Sequence, residues 1–276
     1  MAIYADYTTI QALRKTYLSA SENTRDDLLG DLIRAASRNI DAIGCRAYYP
    51  RVETRYYDTP RGAALILDDD LLEVTTLTDG SAGALASTDY RLYPRNESAK
   101  NEVRLTLVGG KTWQTDSDGD PDSAVSIAGI WGFHTRYDSA WAATGAALTT
   151  AATSTSATSI YVTTGKLDAG DLVKIGSEMM HVSAVARDSA DTATVVRAIN
   201  GTTAATHSTS AEVLRWTFDE VEHVCKTATA AMFRLRNNPI GETVNVGGET
   251  FETPKDVNAY IERQLGALEL IRVNFG

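Results

Sequence analysis

Apolar residues recur at helical spacing most clearly between Thr24 and about Ile43, where Leu28, Leu29, Leu32, Ile33, Ala36, Ile40 and Ile43 form one broad stripe. Thr24 is placed to cap this helix, and Asp26 and Asp27 suit the positive end of its dipole. Arg34, Arg38 and Asp41 fall on the opposite face and are expected to meet solvent or a partner chain. A shorter helix precedes it, opened by the capping-box pair Thr8 and Gln11 and running through Leu18. Two more helices are predicted near the C-terminal end. Thr217 and Glu220 open one with Val221, Val224, Cys225, Ala228, Met232 and Leu235 on one side, ended by Asn237-Asn238-Pro239. Thr253 and Pro254 open the other, which carries Val257, Ile261, Leu265, Leu268 and Ile271 to about Val273. Between them, ETVNV-GG-ETFET reads as a hairpin with a Gly-Gly turn.

From Tyr48 to Arg136 the period changes to two. RVETRYYD, AALILD, LLEVTTLTDG, DYRLYPR, NEVRLTLV and SIAGIWGF read as the strands of a β-meander or small sheet. The triplet Asp68-Asp69-Asp70 between two apolar runs reads as a turn or capping feature. Composition then shifts: 36 of the 73 residues from Thr144 to Trp216 are Ala, Ser or Thr. The opening AALTTAATSTSATS therefore reads as a linker or weak edge. IYVTTG, GDLVKIGSEMMHVSAVA and TATVVRAING alternate apolar and polar residues, predicting a small β-module with Ile160, Val162, Leu172, Val173, Ile175, Met180, Val182, Val195 and Ile199 in its core. The expected fold class is α+β: a small helical bundle of about four helices with a β-region, plus an inserted all-β subdomain. Residues 1–143 and 217–276 form the discontinuous core of that reading, and 144–216 the insertion.

Composition bears mainly on partners. A formal charge of −10 argues against a broad nucleic-acid-binding surface, which needs Lys and Arg for phosphates. No apolar run suits a membrane helix, and the N-terminal residues lack signal-peptide character. Cys45 and Cys225 read as buried thiols rather than a disulfide, and a reducing, cytoplasmic setting fits best. Asp116, Asp118, Asp120 and Asp122 place carboxylates at every second position, a pattern that suits Ca²⁺. Pro121 and Ile127 stand where a helix-loop-helix calcium site needs Gly and Glu, so a solvated acidic loop is the better reading. His134, His181, His207 and His223 show no ligand spacing, and no nucleotide-binding or hydrolase signature is present. The expectation is a protein that is not an enzyme and carries no cofactor or metal. Arg46, Arg51, Arg55, Arg61, Arg91 and Arg95 interleave with Tyr48, Tyr49, Tyr56, Tyr57, Tyr90 and Tyr93. Such a mixture suits stacking on nucleic acid or a protein interface, and the acidic total favours the interface.

The TTIQALRKTYL helix, LLGDLIRAASRNIDAIGCRAYYPRVETRYYD, LILDDDLLEVTTLTDG, DYRLYPRN and the two closing helices resemble the head–tail connector proteins of tailed bacteriophages, also called adaptors or head-completion proteins. The likeness covers roughly residues 5–140 and 217–276. It implies a structural virion protein of the neck, made in the host cytoplasm. It also implies a homo-oligomeric ring of about a dozen copies that binds the portal and a tail-side stopper or tail terminator. Genomic DNA would pass through the channel without sequence-specific binding, and no membrane would be involved. Arg51, Arg55, Tyr56 and Tyr57, with Ile271, Val273 and Phe275 near the closing residues, are the candidate portal or neck contacts. GDLVKIGSEMMHV and VVRAINGTTAATHS are similar to small β-modules of phage structural proteins, although most plain connectors lack such an insert. A second reading makes the inserted β-domain a module recognising a glycan or other surface, with the remainder as scaffold. A third, a metal-dependent enzyme, has only the aspartate loop behind it.

Overall fold

Leu29, Ile33, Ala36, Ile40 and Gly44 are the buried face of the long second helix, joined by Ser37. The computed structural model describes residues 5–17, 25–106, 110–237, 243–246, 249–252 and 256–272. Along these run α1 (Ile10–Tyr17), α2 (Asp26–Gly44), β1 (Arg51–Tyr57), β2 (Ala64–Asp79), β3 (Gly83–Ala84), β4 (Tyr90–Tyr93), β5 (Lys100–Leu105) and β6 (Val125–Trp131). They continue with β7 (Trp141–Ala147), β8 (Ser159–Val162), β9 (Leu172–Ile175), β10 (Glu178–Ala186), β11 (Asp191–Val196) and β12 (Glu212–Trp216). Last come α3 (Asp219–Asn237), β13 (Thr243–Val246), β14 (Glu249–Glu252) and α4 (Val257–Ala267). The fold class is α+β, with four helices and two six-stranded antiparallel sheets among the described residues.

The chain divides into two compact units. One comprises Met1–Tyr48, Trp141–Ile199 and Thr203–Gly276; the other comprises Tyr49–Ala140 with Asn200–Thr202. The helices therefore share a unit with the second sheet, a different partition from a 144–216 insertion into everything else.

In the first unit α2 packs against α1, α3 and α4. α1 begins one residue later than expected, because the Thr9 hydroxyl, not that of Thr8, accepts from the Ala12 amide. Thr8 instead donates to Glu222 on α3 at 3.5 Å. Thr24 lies outside the described residues, as do Gly247-Gly248, Thr253 and Pro254. β13 and β14 pair antiparallel with Val246 opposite Glu249, as a hairpin requires. α4 is capped by Asp256, whose carboxylate accepts from the Asn258 and Ala259 amides. It ends six residues short of Val273. Glu269 turns left-handed (φ 56°), and the Leu270 and Glu269 amides return to the Leu265 and Gly266 carbonyls. That double closure is a Schellman stop; it leaves Leu268 exposed and buries Leu270 in its place. Arg38 and Asp41 do not face solvent alone. They pair at 3.2 Å, the Tyr7 hydroxyl donates to Asp41, and Arg38 donates to the Ala5 carbonyl.

The second sheet runs β7-β12-β9-β10-β11-β8. Thr149 donates to Tyr161 and Thr163 to Ala147, so β8 returns to the end of β7 and the sheet closes into a small barrel. All nine expected core residues are buried. The stretch read as a linker is part of the wall: Ala146, Leu148 and Ala152 are buried, and Ala152 exchanges both backbone hydrogen bonds with His207. Ala146 and Ala152 join Leu148 in the barrel's core cluster.

Glu178 at the start of β10 is fully buried and holds the 197–207 segment to the barrel. It accepts from Arg197 Nε and Nη2 at 2.9 and 2.6 Å, from the Ala198 and Ala205 amides, and bonds His207 Nε2 at 2.8 Å. Burial alone would raise this carboxyl; the bonds from Arg197, Ala205 and His207 outweigh it and hold it below the ordinary 4.5. A depressed carboxyl stabilises the fold above its unfolded value and ceases to do so as pH falls through its folded one. Glu178→Gln leaves the buried Arg197 without a counter-charge and is expected to cost about 3–5 kcal/mol at pH 7. Denaturant titrations of both proteins should show that gap closing as pH falls below 4.5.

Candidate functional site

The Arg- and Tyr-rich stretch is the first place to look for a site, and β1 divides it by alternation. Arg51, Glu53, Arg55 and Tyr57 share one face, while Val52, Thr54 and Tyr56 share the other and are exposed. On the first face, Arg55 bonds Glu53 at 2.8 Å, Asp68 at 3.0 Å and Asp69 at 2.8 Å, and lies 4.6 Å over the Trp131 ring. Arg51 pairs with Asp69 as well, and the Tyr57 hydroxyl donates to Asp68 at 2.5 Å. Burial would raise the Asp68 carboxyl; the bonds from Tyr57 and Arg55 overcome this and lower it. Burial and then the bond to Asp68 push the Tyr57 phenol up, so it stays a donor.

The acidic triplet is therefore not a turn. β2 runs through it as a single 16-residue strand, paired with β5 before it and β6 after it, with irregular register between Ile66 and Leu71. Asp68 and Asp69, which suggested a hydrated turn, are instead neutralised by the β1 arginines, and Asp70 is buried. Of the four candidate contact residues here, three belong to this internal network and only Tyr56, at 66% exposed, stands clear of it. Tyr48 and Tyr49 are buried, so the interleaved cluster does not form one surface. Ile271 is half-buried, and Val273 and Phe275 lie outside the described residues.

The aspartate loop uses its carboxylates on its own backbone. Asp116 accepts from the Asp118 and Asp120 amides, both at 2.8 Å, and Asp120 accepts from the Asp122 amide at 3.0 Å. These are Asx turns. Among the described residues no three His, Cys, Asp or Glu side chains are grouped as a metal ion would need. Cys225 is buried, its thiol pushed up to about 12 by burial, which makes it unreactive. Cys45 is exposed rather than buried, in the left-handed residue that ends α2.

Sequence reading missed two features. One is the Glu178–Arg197–His207 cluster described above. The other is a cavity of about 320 Å³ in the first unit, lined by Tyr7, Lys15, Asp171, Arg215, Phe218 and Glu222 among others. Three of its charged groups are already matched: Asp171 with Arg215 at 3.4 Å, and Glu222 with Lys226 at 3.1 Å. Its lining includes Thr8, Asp6 and Lys15 but no Ser, Cys or His. Among the described residues, no helix is long and apolar enough to cross a membrane. No family model, curated protein or solved structure matches the chain.

The loop geometry separates a turn from a metal site. Asp116→Ala removes two amide hydrogen bonds and is expected to cost about 1 kcal/mol, whereas Asp118→Ala, which removes none, is expected to be neutral. Calorimetric melting with and without calcium checks this. Equal sensitivity of both positions, present only with calcium, would reveal a metal site instead.

Proposed function

We propose that this chain is a structural virion protein of a tailed bacteriophage, a head–tail connector subunit. It assembles as a homo-oligomeric ring between the portal and the tail-side stopper or terminator, and surrounds the DNA channel without catalysis. The observation that carries the reading is the order of patterned stretches over residues 5–140 and 217–276, which resembles that family. The packing of α2 against α1, α3 and α4 supports it, since that bundle is what the resemblance implies. So does the use of β1 and β2 charges inside the sheet, which suits a rigid building block. A ring needs two different side faces per subunit that close after a fixed number of copies. A net charge of −10 is compatible with a bore through which phosphates slide rather than stick.

Native mass spectrometry of the chain, alone and mixed with the portal ring of the same virion, tests the reading. The expected result is a low-order species alone and a multi-copy ring on portal. A chain that ignores portal would overturn it. If residues 271–275 dock the ring, Phe275→Ala should weaken assembly by about 1.5–3 kcal/mol per copy.

A further inference from the structure

The first sheet carries a charge arrangement that its own folding does not explain. β4 and β5 pair so that Arg91 lies directly opposite Arg104, and Ala64 of β2 lies directly opposite Arg104 on the other side. Like charges facing each other across neighbouring strands repel. The alternate positions on these strands face the core: Val103 is fully buried, and Leu92 packs against the same cluster. The two arginines share an open hollow of about 510 Å³ with Ala63, Ala64, Tyr93 and Thr106.

Both guanidinium groups are held in place and still carry free donors. Arg91 gives Nη1 to the carbonyls of Thr88 and Tyr90, at 3.2 and 2.8 Å. Arg104 gives Nε and Nη2 to Glu102 and lies 4.7 Å over the Tyr93 ring. A guanidinium has five N–H donors. Nε and Nη2 of Arg91 and Nη1 of Arg104 thus have no partner among the described residues. Donors already positioned by backbone carbonyls and a ring lose little freedom on binding.

We propose that this hollow is a phosphate-binding site. One tetrahedral dianion between Arg91 and Arg104 would accept from both and remove their repulsion, and the small Ala64 leaves room for it. Glu102 already takes two donors of Arg104. A ligand with a single charge therefore gains little, while a dianion engages both arginines. Free phosphate supplies that double charge at one centre, and a nucleic acid supplies it as two neighbouring, singly charged phosphodiesters. The inference is independent of the ring reading, since it rests only on the β2, β4 and β5 residues.

The test is calorimetric titration of the full chain with inorganic phosphate, and separately with a short thymidine oligonucleotide, at low ionic strength. Phosphate is expected to bind with a Kd on the order of 1 mM. Arg91→Gln and Arg104→Gln should each weaken it about tenfold, while Arg34→Gln, at an exposed arginine on α2 in the other unit, should leave it unchanged. Without phosphate, Arg91→Gln should melt no lower than the parent, because it relieves repulsion; a merely structural arginine would not behave so. Oligonucleotide binding that is tighter than phosphate and lost in Arg91→Gln would support the site and name nucleic acid as its source. Phosphate binding alone would support it with a small anion. Absence of binding to both, or binding unchanged in Arg91→Gln, would overturn it.

Discussion

The first unit depends on the burial of Tyr48. Its hydroxyl donates to the Leu270 carbonyl at 2.8 Å, its amide donates to the Tyr7 hydroxyl at 3.1 Å, and its carbonyl accepts from Trp216 Nε1 at 3.0 Å. One residue thereby fixes the segment before α1, the segment after α4 and the last strand of the barrel. The requirement reaches into α2, where a Cβ at Gly44 would stand 2.3 Å from the Tyr48 hydroxyl. Only glycine fits there, and its carbonyl is free to accept from the Arg272 amide at 2.9 Å. Trp216 continues the junction by packing edge-on against Trp141, whose ring lies under Lys174. These contacts are why helices and barrel form one compact unit although some ninety residues of separate sheet interrupt them in sequence.

The other unit is organised by neutralisation as much as by apolar burial. Trp131 is fully buried, with its indole N–H donating to the Glu53 carbonyl and Arg55 lying over its ring. That stacking aims the guanidinium at Asp68 and Asp69 in mid-strand. Strand β2 can carry Asp68 and Asp69 side by side because β1 supplies Arg51 and Arg55 against them. Gly129 allows the same β6 to approach β2, since a Cβ there would meet the Glu73 carbonyl at 2.2 Å.

Much of this was legible in the chain. Period-two stretches became strands, and the barrel core followed the alternation of IYV, LVKI and TATVV, because a residue's face in a sheet is set by parity alone. What failed to show were features that depend on distant partners. The triplet at 68–70 resembles a turn unless Arg51 and Arg55 are known to sit beside it. Glu178 carries no local mark, as the residue that answers it is nineteen positions away. α4 looked longer because Leu268 and Ile271 keep helical period, yet the left-handed Glu269 stops the helix between them. AALTTAATSTSATS resembles a linker by composition, and only closure of the barrel gives its small side chains an inside.

Partners, more than composition, decide which charges of this acidic chain bear on binding. Arg55, Arg187 and Arg197 each face carboxylates of their own unit, and Asp191 and Glu178 are wholly buried against such arginines. Charges matched in this way contribute to specifying the fold and add little to the field outside it. The Arg91–Arg104 pair is different in kind. Strand register sets the two opposite each other, backbone carbonyls and a ring hold them, and among the described residues Glu102 pairs with Arg104 alone. An arginine whose neighbours leave donors open toward solvent is where a net charge of −10 says least about what the local surface attracts.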